Sequence, residues 1–136
     1  MTGLFVDTWF LIAYTHRRDH DHGLADRMWR KLDHHGRIIT HDGVLTEFLA
    51  FFAGSGPMVR RKVARLVRNL PIHGFEVIPQ DRALFLRALT LYEERLDKGY
   101  SLTDCMSMVL MREQGINHVV TNDHHFRQEG FTVVNQ

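Results

Sequence analysis

Two aspartates in the last third of the chain stand where one predicted element gives way to the next. Asp104 follows Ser101 and Thr103, a helix-start pattern in which Thr103 can cap and Asp104 falls in the first turn, where the helix dipole favours negative charge. Asp123 comes just after the apolar residues 118–121, which predict a short buried strand. Each acid also has a purely structural explanation, as a first-turn acid or a turn residue. A catalytic role therefore requires that the two converge with partners from elsewhere.

Two further acids occupy similar positions earlier in the chain. Asp7 follows the apolar residues 4–6, which predict a first strand, and Glu47 lies near the start of a helix after a second predicted strand at residues 37–41. The neighbours of Glu47 are mostly apolar, so its carboxylate is costly if buried unpaired, although a place on a solvent-facing stripe explains it equally well. The ends of parallel strands and the starts of the helices that follow them share one sheet edge. We therefore expect one acidic pocket at that edge.

Convergent carboxylates have a definite chemical meaning. Two unit charges about 4 Å apart repel by about 4 kcal/mol at an effective dielectric constant of about 20, so four such groups need protons or a counter-charge. Oxygen ligands alone suit Mg²⁺ or Mn²⁺. Such an ion activates water and stabilises charge on a phosphoryl oxygen, which is the chemistry of phosphodiester hydrolysis.

The elements that must position these acids alternate along the chain. Strands separated by helices predict β–α–β units and a mainly parallel sheet with helices on both faces. Further strands are predicted at residues 75–78 and 131–134, and helices at residues 9–14, 24–32 (closed by Gly36), 43–52, 57–70, 81–97 and from Thr103 to Gly115. The length of 136 residues suits a single domain over residues 1–136.

Composition limits the class of protein. The chain has one cysteine, Cys105, so a disulfide framework within it is impossible and a reducing cytoplasm fits. No apolar run approaches the roughly 20 residues of a membrane span, and we expect no membrane association. The paired histidines, His20 with His22 and His124 with His125, match no structural zinc spacing.

A net charge of +1 means that affinity for nucleic acid must come from a local patch. The helix after Pro57 offers one, since Arg61, Arg65 and Arg68 lie on a basic face opposite an apolar stripe. This face predicts phosphate contacts with RNA or, equally well, a solvated or partner-binding surface.

The acids belong to four short motifs, which are Phe5-Val-Asp7-Thr8, Thr46-Glu47, Ser101-Leu-Thr-Asp104 and Thr121-Asn-Asp123-His-His-Phe126. The order of these motifs resembles that of the PIN-domain ribonucleases, and of the VapC-type toxins of bacterial toxin–antitoxin pairs in particular. The last two are the most specific, and the resemblance spans the chain.

The resemblance implies a three-layer α/β/α sandwich and an endoribonuclease that depends on Mg²⁺ or Mn²⁺ and leaves a 5′-phosphate and a 3′-hydroxyl. Asp7 and Asp104 match direct metal ligands of the family. Glu47 and Asp123 match groups that hold water or a second ion, so all four acids are the expected catalytic residues. Thr8 and Thr121 are expected near the site.

The resemblance also implies partners. These are an RNA substrate, a cognate antitoxin protein and a second copy in a homodimer. A basic residue of the antitoxin is expected to enter the acidic pocket, while its apolar residues pack near residues 48–52 and the basic helix. Two alternatives stay open: a catalytically idle PIN fold that binds RNA or protein, and a phosphatase or DNA nuclease of similar chemistry.

Overall fold

Five parallel strands form the centre of the molecule, whose computed structural model describes residues 3–31 and 36–134. In spatial order the strands are β3, β2, β1, β4 and β5, and every neighbouring pair is parallel. Their bounds are β1 Gly3–Val6, β2 Arg37–His41, β3 Phe75–Ile78, β4 His118–Val120 and β5 Thr132–Val134. All five predicted strands are therefore confirmed, and the sheet is parallel throughout.

Helices cover both faces of this sheet and complete the predicted three-layer α/β/α sandwich. Among them, α5 packs on α6, and α1 contacts both α2 and α3. The helices are α1 Thr8–Thr15, α2 His22–Lys31, α3 Asp42–Phe51, α4 Pro57–Asn69, α5 Arg82–Glu94, α6 Leu102–Glu113 and α7 His125–Gln128, with a 3-10 helix at Leu70–His73. The last part of the predicted second helix, at residues 32–35, lies outside the described residues.

The core lies between these layers and is built from apolar side chains of strands and helices together. Phe5 of β1, Phe48 of α3 and Phe126 of α7 are completely buried. Cys105 is also buried in α6. Across the described ranges, no helix has the length and apolar character needed to span a membrane.

The strand order creates a switch point between β1 and β4. The chain builds β1, β2 and β3 outward in one direction, then returns to place β4 on the other side of β1. Because Val6 lies opposite Val120 in this register, the residues that follow them leave the sheet side by side. These residues are Asp7 and Thr121, and a crevice at such a switch point is where open α/β sheets bind ligands.

Candidate functional site

Asp7 and Thr121 are joined directly at the switch point. The Asp7 amide donates to the carbonyl of Val120 (3.2 Å), and the Thr121 hydroxyl donates to Oδ2 of Asp7 (2.7 Å). The same hydroxyl oxygen accepts the backbone N–H of Asp123 (3.0 Å). Thr121 thus fixes the Asp7 carboxylate and the turn that carries Asp123. Only 7% of Asp7 and 3% of Thr121 are exposed, so this contact is shielded from water.

Asp104 is brought to the same edge by the start of α6. Its amide donates to the Ser101 hydroxyl, and its Oδ2 accepts the Ser101 amide, each at 3.0 Å. Of the two residues in the predicted helix-start pattern, Ser101 is the cap and Thr103 is not, because the spacing from Ser101 to Asp104 allows both bonds of a capping box. Asp104 is therefore a first-turn acid of α6, and it also lies close enough to Asp123 and Glu47 for their charges to raise its pKa.

Asp123 is likewise both a turn residue and a member of the cluster. Its Oδ1 accepts the backbone N–H of His125 at the start of α7 (2.9 Å). One ligand atom from each of Asp104, Asp123 and His125 can be chosen so that all three lie within 4.8 Å of one another. His125 is not among the site residues predicted from the sequence, where it was interpreted only as half of a histidine pair. Its position beside Asp123 in the last motif is the signal that could have identified it.

Glu47 completes the group from α3. Its Oε1 accepts the hydroxyl proton of Thr8 at 2.7 Å, which ties α3 to the start of α1. Glu47 is exposed, as the solvent-stripe explanation held, but it is not remote from the other acids. Its charge contributes to the raised pKa of both Asp7 and Asp104.

Burial first, and repulsion between the acids second, raises the pKa values of Asp7 and Asp104. Burial raises the pKa of Asp7 to about 7, against the hydrogen bond from Thr121, and the nearby charges of Asp104 and Glu47 raise it further. Burial also raises the pKa of Asp104, and the charge of Asp123 adds to that effect. The structure therefore brings all four predicted acids together at one sheet edge.

The hydrogen bonds to these four carboxylates come from hydroxyl and backbone N–H groups. Within residues 3–31 and 36–134, no Arg or Lys forms an ion pair with any of them. The one cationic candidate is His125, whose Nδ1 lies 3.1 Å from Oδ1 of Asp123. Four carboxylates therefore face one another with no Arg or Lys paired to them in the described part of the chain.

The donor set fits a divalent cation. Hard carboxylate oxygens are the ligands that Mg²⁺ and Mn²⁺ prefer. In addition, the buried Nδ1 of His125 makes no hydrogen bond within the described residues, although it points to the same group of oxygens. A buried polar atom that makes no hydrogen bond calls for an explanation, and a bound ion is one.

A cavity of about 300 Å³ opens beside the acids. Thr121 and Asp123 form one wall, and Trp9 lies across from them with its indole N–H donating to Asp21 at 3.1 Å. The remaining lining residues are Leu24, Met28, Asn122, His124, Arg127 and Val133. Of the four predicted acids, Asp123 therefore borders a space with apolar and polar walls, and the basic Arg127 lies in the same lining.

The predicted basic face lies on α4, which carries none of the four acids. Arg61, Arg65 and Arg68 are exposed on α4, opposite the buried Val63. The described contacts of these arginines do not join them to the acidic cluster. Their place on α4 confirms a basic exposed face and leaves open whether RNA or protein meets it.

The chain matches a known protein family and several solved structures. The family model described as the PIN domain matches residues 4–131. The chain belongs to the PIN-domain family. A comparison with curated protein sequences found no significant match.

Among solved structures, this PIN domain is similar to VapC20 of Mycobacterium tuberculosis, described as a sarcin–ricin loop cleaving toxin. The match has a TM-score of 0.82 and 26% identity, and it covers 98% of this chain and 99% of that chain.

Two further structures share the PIN fold at lower identity. VapBC2 of Rickettsia felis, bound to a DNA fragment from its promoter, matches with a TM-score of 0.70 and 14% identity over 98% of both chains. FitAcB of Neisseria gonorrhoeae matches with a TM-score of 0.64 and 16% identity, covering 97% of this chain and 96% of that chain.

Proposed function

We propose that this PIN-domain protein is an endoribonuclease that depends on Mg²⁺ or Mn²⁺ and acts as the toxin of a toxin–antitoxin pair. Asp7, Glu47, Asp104 and Asp123 are its catalytic and metal-binding residues. One observation carries the proposal: four carboxylates meet at the switch point of a parallel sheet without an Arg or Lys partner in the described residues. Likeness to VapC20, a toxin that cleaves the sarcin–ricin loop, supports RNA as the substrate.

A bound Mg²⁺ or Mn²⁺ supplies Lewis-acid stabilisation of the charge that develops on the phosphoryl oxygens. Asp7 and Asp104 would hold it as direct ligands, as their match to the family's motifs implies, and Asp123 would join them because its carboxylate lies within 4.8 Å of that of Asp104. The Thr121 hydroxyl fixes the orientation of Asp7 and of the Asp123 backbone together. Thr121 thereby holds the segments that follow β1 and β4 in fixed positions beside the phosphodiester to be cleaved.

Glu47 would act as the general base. Its Oε1 is occupied by the Thr8 hydroxyl, which leaves Oε2 to accept a proton from the attacking water. A solvent-facing carboxylate suits this task because it can exchange the proton with bulk water. The cavity between Trp9 and Asp123 would receive the nucleotide next to the cleaved phosphodiester.

The test of this proposal is RNA cleavage by purified protein. Cleavage should require Mg²⁺ or Mn²⁺ and stop when EDTA is added. Asp7→Asn and Asp104→Asn keep the side-chain shape but remove a ligand charge, so each should lower the cleavage rate by at least about 10²-fold. Glu76→Gln is the matched control, since Glu76 is exposed and pairs with Arg37 far along the chain from the motifs.

Full activity of either aspartate variant in chelator-treated buffer would falsify the assignment of that acid. RNA binding without any cleavage would indicate the catalytically idle PIN fold. Cleavage of DNA in preference to RNA would move the activity to the DNA nuclease alternative.

The partners follow from the same proposal. The VapBC2 and FitAcB structures are similar in fold, and we propose a cognate antitoxin for this chain as well. A groove of about 360 Å³, with apolar walls at Phe52, Val59 and Val63 and a basic rim at Arg17, Arg18 and Lys62, would receive an amphipathic segment of the antitoxin. An antitoxin Arg or Lys would enter the acidic cluster. Arg61, Arg65 and Arg68 would contact RNA phosphates, and the protein would act in the cytoplasm as a homodimer.

A further inference from the structure

The imidazole of His125 is held at the acidic cluster from two sides. Its own backbone N–H donates to Oδ1 of Asp123, which fixes the start of α7 there. Its ring packs against Tyr100 with a centroid separation of 5.2 Å, and the Tyr100 hydroxyl is anchored by Glu129 at 2.9 Å. The orientation of the ring is therefore set by packing and not by a hydrogen bond of its Nδ1.

The position of Nδ1 matches a ligand of an ion. This atom is buried, makes no hydrogen bond within the described residues, and lies 3.1 Å from Oδ1 of Asp123. In an octahedral site with bonds of about 2.1 Å, neighbouring ligand atoms lie about 3.0 Å apart and opposite ones about 4.2 Å apart. Ligand atoms of Asp104, Asp123 and His125 within 4.8 Å of one another need only a small contraction to reach that geometry.

We propose that His125 donates Nδ1 as a ligand to the cation held by Asp104 and Asp123, and that this nitrogen makes the site prefer Mn²⁺ to Mg²⁺. This inference rests on the proposed function, since it names the metal of the same site. Mg²⁺ is bound almost entirely through oxygen and loses its waters reluctantly, whereas first-row transition metals accept imidazole nitrogen, Mn²⁺ the most weakly among them. A mixed nitrogen and oxygen set therefore strengthens the binding of Mn²⁺ and does little for Mg²⁺.

The test uses Mn²⁺ binding to the RNA-free protein, followed by electron paramagnetic resonance. His125→Ala should weaken Mn²⁺ binding by about tenfold or more, the scale of losing a group that tunes a metal site. Mg²⁺, measured by competition, should change by less than about threefold. His124→Ala is the matched control, because His124 is the exposed neighbour of His125 and lies outside the group of possible ligands.

Spectroscopy of the unaltered, Mn²⁺-loaded protein shows directly whether a histidine nitrogen binds the ion. Electron spin echo measurements on Mn²⁺-loaded protein should show coupling to a histidine nitrogen, and its pattern should change when histidine is labelled with ¹⁵N. The coupling should vanish in His125→Ala and persist in His124→Ala. Because labelling needs only the unaltered chain, misfolding of a variant cannot hide the answer.

Two results would overturn the proposal in different ways. Tight Mn²⁺ binding without nitrogen coupling would leave the acidic metal site intact and reduce His125 to a hydrogen-bonding neighbour of Asp123. Absence of Mn²⁺ and Mg²⁺ binding to the unaltered protein would remove the metal site itself, and with it the proposed function.

Discussion

Two buried carboxylates, Asp7 and Glu129, are treated in opposite ways by the same fold. Burial alone would raise the pKa of Glu129, but hydrogen bonds from Arg95, Arg112 and Tyr100 outweigh it and lower the pKa to about 2. Arg95 and Arg112 each reach the Glu129 carboxylate at 2.9 Å, as does the Tyr100 hydroxyl. Burial of Asp7 raises its pKa to about 7, and its nearest charged neighbours are other acids.

The comparison indicates a structural role for the charge of Glu129 and a functional role for that of Asp7. Glu129 joins α5, α6 and the end of α7 through two arginines, and its charge is matched inside the chain. At the switch point, by contrast, the chain supplies hydroxyl and N–H donors to its carboxylates but no Arg or Lys among the described residues. Protons or an outside cation must balance that charge, and the metal-free protein should bear a stability cost at this site wherever the carboxylates stay ionised.

Removal of the Glu129 side chain should give the largest loss of stability. Glu129→Ala leaves two arginines and Tyr100 without their shared acceptor, and only 5% of the Glu129 side chain is exposed. Arg95 and Arg112 can still turn toward water, so we expect a loss of about 2–3 kcal/mol in the free energy of unfolding. Urea denaturation would measure it.

Glu113→Ala is the matched control for that experiment. Glu113 also pairs with an arginine, Arg87, at 2.6 Å, but 39% of its side chain is exposed. Exposed pairs contribute about 0–1 kcal/mol, so this variant should lose little stability. Equal losses in the two variants would mean that burial does not distinguish the Glu129 cluster.

Asp7→Asn should raise the free energy of unfolding of the metal-free protein instead of lowering it. The amide can still accept the Thr121 hydroxyl but carries no charge, so the metal-free protein should gain about 1–2 kcal/mol of stability at pH 7. Urea denaturation in EDTA would measure this gain. A clear loss of stability would show that the Asp7 charge is already balanced within the chain.

The pH dependence sharpens the same contrast. The raised pKa of Asp7 means that the folded protein holds this proton more tightly, so the stability cost of Asp7 grows as pH rises from 3.8 to about 7. The lowered pKa of Glu129 means that its stabilisation is lost as pH falls from 4.5 to about 2. The gain in Asp7→Asn should therefore shrink toward pH 4, while the loss in Glu129→Ala should shrink only below pH 4.5. A gain in Asp7→Asn that does not change with pH would contradict this account.

The sequence was sufficient for much of the fold because strands and long helices leave periodic patterns. It also predicted that Asp7 and Asp123 would meet, since each follows a strand of a parallel sheet. The short α7 spans only His125–Gln128 and leaves no such period. The Glu129 cluster escaped prediction for another reason: its partners come from separate elements, and no local pattern links Arg95 or Arg112 to Glu129.

The candidate site was likewise predictable from the sequence only in part. Order along the chain predicted which acids gather, but the unpartnered Nδ1 of His125 depends on how its ring packs against Tyr100. The capping role of Ser101 was visible in its spacing from Asp104, and Thr103 was the less suitable choice. Contacts made across the fold by side-chain orientation are the part that sequence reasoning did not reach.

The central claim is that the four carboxylates at the switch point form a divalent-cation site. Thermal unfolding of the chelator-treated protein, with increasing Mg²⁺ or Mn²⁺, tests it most directly. A ligand at about one hundred times its dissociation constant adds about 2.7 kcal/mol of stability, so the melting temperature of the unaltered protein should rise by several degrees. Asp104→Asn, which keeps its shape but loses the ligand charge, should show little or no rise. An equal rise in both proteins, or no rise in the unaltered protein, would contradict the account.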